Sequence, residues 1–389
     1  MSAGESEDPH LPQTVASDEL QRGDQRWKAA RAVIKVGTSS ITDQAGRLKP
    51  FAIEKLCNEI AEARETGHEI VLVTSGAITA GVGALNLKER PTRIRELQAV
   101  AAVGQPLLMG RYQKHLSDRG VPAGQVLLTP YDFMHRPQYL HARETLRTML
   151  GLGIVPIVNE NDTVADDAIR FGDNDRIAAI VANLVDAQRL VLLTDIAGVF
   201  DADPRANDDA SLIEEIVEFD PEVVRAAGGA GTVRGSGGMA SKIAAARMAS
   251  WSGVSTTIMA GDCDDAVLAG LSVRPPGTLV RARTQRLSAR KLWIAFGMAS
   301  RGRIVIDDGA RGALLHRGGS LLAPGIVAVS GSFNVDDAVD LIDRGGDVIA
   351  KGLVRRPSSQ MFVEDGGDAA GADPIVVHRD DLVIIPEER

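Results

Sequence analysis

The chain reads as an α/β protein: an open, mainly parallel α/β/α sandwich followed by a small β-rich, barrel-like unit. Three observations lead there. From residue 31 to about 260, short and nearly continuous apolar runs alternate with amphipathic stretches, the pattern of strands buried under helices on both faces. After about 285 the runs shorten and are separated by Gly318-Gly319, Gly345-Gly346 and Gly366-Gly367, the texture of a small β domain. A length of 389 residues leaves room for two or three domains.

The elements follow in order. Residues 32–36 form the first predicted strand. Residues 51–64 form a helix, because Ile53, Leu56, Cys57 and Ile60 recur at three-to-four spacing. A strand at 69–73 leads into Thr74-Ser75-Gly76-Ala77 and a helix of small residues. Residues 93–116 form a long helix, with Pro106 as its expected kink. A strand at 125–128, a helix at 138–150 and a strand at 154–158 come next. Then follow a helix at 173–185, a strongly apolar strand at 189–193, a helix at 238–250 and a strand at 255–259. In the last part, runs at 303–306, 327–329, 348–351 and 382–385 read as strands, and 292–298 as either helix or strand. This divides the chain into a disordered polar tail (1–27), a first domain (28–285) and a second domain (290–385).

Composition narrows the function classes. The net charge is -9, from 43 basic and 52 acidic residues, which does not suit a general polyanion binder. Two cysteines make no disulfide framework, and Cys57 falls on the apolar face of its helix, where it reads as core. No apolar run reaches membrane-spanning length, and residues 1–27 lack the apolar segment of a signal peptide. A reduced, cytoplasmic protein is expected.

In an open parallel sheet, ligands gather at the carboxyl ends of the strands, and those ends carry the chemistry here. The first ends in Lys35-Val36-Gly37-Thr38-Ser39: a point charge, a glycine that admits close approach, and two hydroxyls. It is not the common P-loop, whose G-x-x-x-x-G-K-[ST] pattern is absent. Later ends carry Thr74-Ser75-Gly76-Ala77, Asn159-Glu160-Asn161-Asp162 and Thr194-Asp195. Two helices open on Phe171-Gly172-Asp173-Asn174-Asp175 and on Gly235-Ser236-Gly237-Gly238-Met239-Ala240-Ser241-Lys242, and helix N-termini with glycines favour anions. Taken singly, each could be a turn, a cap or a solvated loop. Together they outline a phosphoryl-transfer site.

In this order, and with the β-rich segment behind them, these motifs resemble the amino-acid kinase family over roughly residues 30–375. The resemblance is to its glutamate-phosphorylating branch, which typically carries a C-terminal PUA domain. It implies an amino-acid kinase fold followed by a PUA-like barrel, with Lys35, Lys242 and Asp175 as catalytic residues. Ser75, Asp162 and Asn174 would hold glutamate, with Asp162 suited to the ammonium group, and Ser75 and Asn174 to the carboxylates. Lys35, Thr194, Asp195, Ser236, Gly237, Gly238, Met239, Ala240, Ser241 and Lys242 would bind ATP. Mg²⁺ would accompany the nucleotide, and no protein ligand is assigned to it. The resemblance further implies the first step of proline biosynthesis, inhibition by proline, hand-over of the product to γ-glutamyl phosphate reductase, and a homo-oligomer. The chain departs from the pattern at Ser236, where threonine is common, at Ala197, where an acidic residue is frequent, and in its long N-terminal extension.

Two other readings compete. One is a kinase of the same fold acting on acetylglutamate, aspartate, carbamate or UMP. The other is RNA binding through the second domain. Residues 290–389 hold 12 basic and 15 acidic residues, and Arg355-Arg356 is the tightest basic cluster, a poor footprint for RNA.

Overall fold

The structure is a computed structural model, and it describes residues 30–43, 47–164, 174–207, 209–219, 238–284, 286–361 and 374–385. The expected tail over 1–27, Phe171-Gly172-Asp173, Ser236, Gly237 and the Gly366-Gly367 turn lie outside the described residues.

The first domain opens with β1 (Arg31–Val36), α1 (Thr38–Ile41), α2 (Pro50–Glu65), β2 (Glu69–Val73), α3 (Ala77–Ala84) and α4 (Ile94–Asp118). It continues with β3 (Ala123–Leu128), α5 (Pro130–Met134), α6 (Arg136–Gly151), β4 (Val155–Glu160), α7 (Asn174–Leu184) and β5 (Arg189–Thr194). It closes with β6 (Glu215–Ile216), α8 (Met239–Trp251), β7 (Ser255–Ala260), α9 (Ala266–Gly270) and β8 (Thr278–Val280). The sheet runs β3-β4-β2-β1-β5-β7-β8-β6. Its pairs are parallel from β3 to β7, whereas β8 runs antiparallel to β7. The central strands are buried over nearly their whole length, as their unbroken apolar runs require. The mainly parallel sandwich is therefore observed. The long helix runs through Pro106 without a break in its span.

The second domain contains α10 (Ala289–Leu292), which passes into a π-helical turn at Trp293–Gly297. It continues with β9 (Gly302–Ile306), α11 (Asp308–Arg317), β10 (Leu321–Leu322), β11 (Ile326–Gly331), β12 (Ala338–Ile342), β13 (Val348–Val354) and β14 (Ile375–Ile384). The strands form a curled half-barrel sheet in the order β10-β14-β13-β12-β9-β11. The segment at 292–298 is thus helical. Its Leu292, Trp293 and Ile294 join one apolar cluster with Ile177 and Ile180 of α7 and with Ala338, Leu353 and Val383 of the curled sheet. This cluster bridges the two domains, and the curled sheet also has an apolar core of its own around Ile304, Leu314, Phe333 and Leu341. No described helix is long and apolar enough to cross a membrane.

Two glycines fix the approach to the carboxyl edge of the sheet. Gly76 has φ +102 and caps α3 in a left-handed conformation that side chains rarely adopt, so the chain turns sharply just after Ser75. Gly104 of α4 lies against α3 so closely that a Cβ there would stand 1.8 Å from the Ala77 carbonyl oxygen and 2.4 Å from the Gly81 nitrogen. Backbone cannot yield as a side-chain tip can, so Gly104→Ala should force the helices apart. We expect a loss of about 3 kcal/mol or more, measured as a fall in the denaturant midpoint; an unchanged midpoint would show that the contact is not tight.

Candidate active site

Lys35, Asp175 and Lys242 come from three distant parts of the chain and meet. Lys35 is the last residue but one of β1, in register with Val73 of β2 and Leu192 of β5, and therefore lies mid-sheet. Asp175 opens α7, and Lys242 lies in the first turn of α8, which packs against α7. Lys35 Nζ is 2.5 Å from Asp175 Oδ1, and Lys242 Nζ is 3.3 Å from Asp175 Oδ2. Ser241 Oγ donates to the same Oδ2 at 2.6 Å. All three charged residues are buried. Burial alone would push the Asp175 carboxyl up, but the charges of Lys35 and Lys242 outweigh it and hold the group well below the usual carboxylate range. Burial pushes the Lys242 ammonium down from its ordinary value, against the pull of Asp175. At neutral pH the cluster is two cations around one anion, leaving one positive charge in a poorly hydrated place. Such a surplus attracts an anion strongly.

Beside it lies a polar ladder. Asn174 Nδ2 donates to Ser75 Oγ at 2.9 Å and to Asn159 Oδ1 at 3.1 Å. Asn159 Oδ1 also accepts the backbone N–H of Glu160 at 2.9 Å, and Asn159 Nδ2 donates to Gln105 Oε1 at 2.8 Å. The Glu160 N–H must face an oxygen, which fixes the orientation of both amides. Both N–H groups of Asn174 are therefore committed. Its Oδ1 is buried and has no hydrogen-bond partner among the described residues. Asn174 thus has an acceptor free and suits a ligand ammonium better than the carboxylate expected from the sequence. Asn159 and Gln105 were not singled out as site residues in the sequence. Asn159 lies in the strand-end motif Asn159-Glu160-Asn161-Asp162, of which the sequence reading assigns only Asp162 to the ligand.

Asp162 follows β4 and makes no hydrogen bond or ion pair with Ser75 or Asn174 among the described residues. Burial raises its carboxyl to about 6, with the charge of Arg90 opposing. Thr194 is the last residue of β5, and its Oγ1 donates to Asp195 Oδ1 at 3.1 Å. The Asp195 charge favours the Lys242 ammonium against the effect of burial. Gly238 caps α8 without a side-chain cap bond, so first-turn amides there face a potential anion. Ala240 is exposed, whereas Met239 is buried in the apolar core. Ser241 bonds to Asp175, a bond the sequence did not reveal. Cys57 is buried, as expected, and burial pushes its thiol up to about 12, far from reactivity.

Residues 30–260 match the model of the amino acid kinase family, and residues 302–371 match the PUA domain. Among curated relatives, a glutamate 5-kinase of Moorella thermoacetica is 44% identical over 366 residues, covering 92% of this chain and 97% of that protein. A glutamate 5-kinase of Caldanaerobacter subterraneus is 43% identical over 363 residues, covering 91% of this chain and 98% of that protein. With a buried two-lysine site at the strand ends of such a sheet, and a PUA domain behind it, the chain belongs to the amino acid kinase family.

Proposed function

We propose that this chain transfers the γ-phosphoryl group of ATP to the γ-carboxylate of L-glutamate, giving L-glutamyl 5-phosphate. The observation that carries the reading is the buried Lys35–Asp175–Lys242 cluster, set beside the amide and hydroxyl ladder of Asn159, Asn174 and Ser75. The glutamate 5-kinase relatives support the choice of acceptor.

The acceptor carboxylate is ionised at neutral pH, so the attack needs no general base. The obstacle is the approach of one anion to another. Lys35 and Lys242 offset it by holding charge at the transferring group, and Asp175 fixes where their ammonium groups point. Ser241 steadies the carboxylate that does so. The first-turn amides of α8, with Thr194 and Asp195, would carry the nucleotide. Asp162 and the free oxygen of Asn174 would take the ammonium of glutamate, and Ser75 a carboxylate. Mg²⁺, which neutralises phosphate oxygens when bound, would arrive with the nucleotide and be held largely by phosphates and water. The same reading includes a kinase domain over 28–285 and a PUA-like domain over 290–385. It also includes cytoplasmic residence, a homo-oligomer, proline as a feedback inhibitor, and a reductase that consumes the labile product.

An assay with ATP, Mg²⁺ and hydroxylamine, which traps an acyl phosphate, tests the acceptor. Glutamate should give hydroxamate, while acetylglutamate, aspartate, carbamate and UMP give no phosphorylation, and proline should suppress the glutamate rate. Phosphorylation of one of the others in preference would replace the reading with a sister activity.

Lys35→Ala and Lys242→Ala should each lower kcat by about a hundredfold or more with the circular dichroism spectrum retained. Near-normal turnover in either variant would refute the two-lysine scheme.

Asp162 binds an ammonium only when ionised. Its raised value means the charged form is present above about 6 and lost below it. kcat/KM for glutamate should therefore fall as pH drops through about 6, and Asp162→Asn should flatten that limb and raise KM. The sign for stability is opposite: because the folded carboxyl titrates above its ordinary value, its contribution favours folding at low pH and is lost as pH rises towards 6. A pH profile unchanged in Asp162→Asn would remove this residue from the acceptor site.

A further inference from the structure

A second cleft lies where the two domains join, one helix away from the chemistry. It has a volume of about 560 Å³, within the range of small-molecule sites, which favour domain interfaces. The first domain supplies Val217 and Trp251, the connecting segment Leu287, and the second domain Leu314, Leu382 and Ile384. These form an apolar lining. Trp251 closes the C-terminal end of α8, and Lys242 lies in the first turn of that helix. Trp251 lies nine residues beyond Lys242 along the helix, a rise of about 14 Å. A ligand in this cleft would therefore be separate from the substrates.

The charges around the cleft are mostly positive, on a chain that is acidic overall. Arg281 is paired with Glu215. Arg283 lies over the Trp251 ring, 4.8 Å from its centroid, and has no carboxylate partner among the described residues. Lys291 donates to the Arg379 carbonyl at 3.3 Å and likewise has no carboxylate partner there. Arg379 is 3.8 Å from Asp380, with side chains 67% and 75% exposed, a pairing of little strength. Against Arg283, Lys291 and Arg379 stand Glu218 and the C-terminal ends of α8 and α11, each end carrying about half a negative charge. Among the side chains that line the cleft, the basic Arg281, Arg283, Lys291 and Arg379 outnumber the acidic Glu218 over an apolar floor.

We infer that this cleft is a binding site for a small organic monoanion with a flat apolar body, distinct from the nucleotide and acceptor sites. The apolar lining takes the body, and Arg283, Lys291 and Arg379 take the charge. Because Trp251 and Lys242 are on one helix, an occupant touches an element of the catalytic cluster without entering it.

The probe is 1-anilinonaphthalene-8-sulfonate, titrated by fluorescence into the full-length protein. One molecule should bind per chain, and saturating Mg²⁺–ATP with glutamate should not displace it. The Lys291→Glu/Arg379→Glu double variant should weaken binding by about tenfold, with turnover in the absence of probe unchanged. The neutral analogue N-phenyl-1-naphthylamine should bind about tenfold more weakly than the anion. If the double variant fails to fold, Arg379→Glu alone, on an exposed position, should still weaken binding several-fold. Displacement by substrates, equal affinity in the charge-reversal variants, or equal binding of the neutral probe would each overturn the inference.

Discussion

The structure turns on one carboxylate shared by two ammonium groups out of water. Asp175 is 1% exposed, Lys35 5% and Lys242 6%, and moving any such ion alone into the interior costs several kcal/mol. Each is tolerable only beside an opposite charge, and the three come from positions separated by 140 and 67 residues of chain. The cluster therefore fixes how β1, α7 and α8 converge. Removing Asp175 would leave two like charges facing each other in a poorly hydrated pocket. The geometry that makes the site attractive to phosphate is the same geometry that holds its walls in place.

The acceptor side follows a different logic. It is a ladder of neutral groups, in which each amide is oriented by the next, from Gln105 through Asn159 and Asn174 to Ser75. Neutral dipoles fixed by neighbours can discriminate a ligand without adding net charge beside an already charged cluster. The two halves meet at Asn174 and Asp175, adjacent residues on one helix start. Their side chains serve opposite sides, one presenting a free oxygen and the other clamping cations.

Much of this was legible in the sequence, and what was not has identifiable causes. Lys35, Ser75, Asn174, Asp175 and Lys242 sit at strand ends or helix starts, where the topology of a parallel sheet announces a site. Gln105 sits in the middle of a long helix and reads there as an ordinary polar-face residue. The role of Ser241 depends on a contact across 66 residues of chain, which no local pattern shows. In the second domain the periodicity of the sequence does not mark α11, although the helix carries its punctuation: Asp307 caps it by accepting from Ala310 N, and Gly318 ends it in a left-handed conformation. Its interior, with one buried leucine among glycines, alanines and arginines, shows no helical apolar stripe. The ambiguity at 292–298 had another source, since Leu292, Trp293 and Ile294 are all buried and a segment packed on every side shows no period.

That last segment has a thermodynamic consequence. Its apolar side chains belong to the same cluster as the catalytic helix α7 on one side and Ala338, Leu353 and Val383 on the other. Melting the C-terminal sheet would uncover surface that α7 needs covered, and loosening α7 would strip the sheet of its inner contact. Neither half has a private core boundary along this seam. The two domains are thus coupled along this seam, and the stability of the distal sheet contributes to that of the helix that presents Asp175.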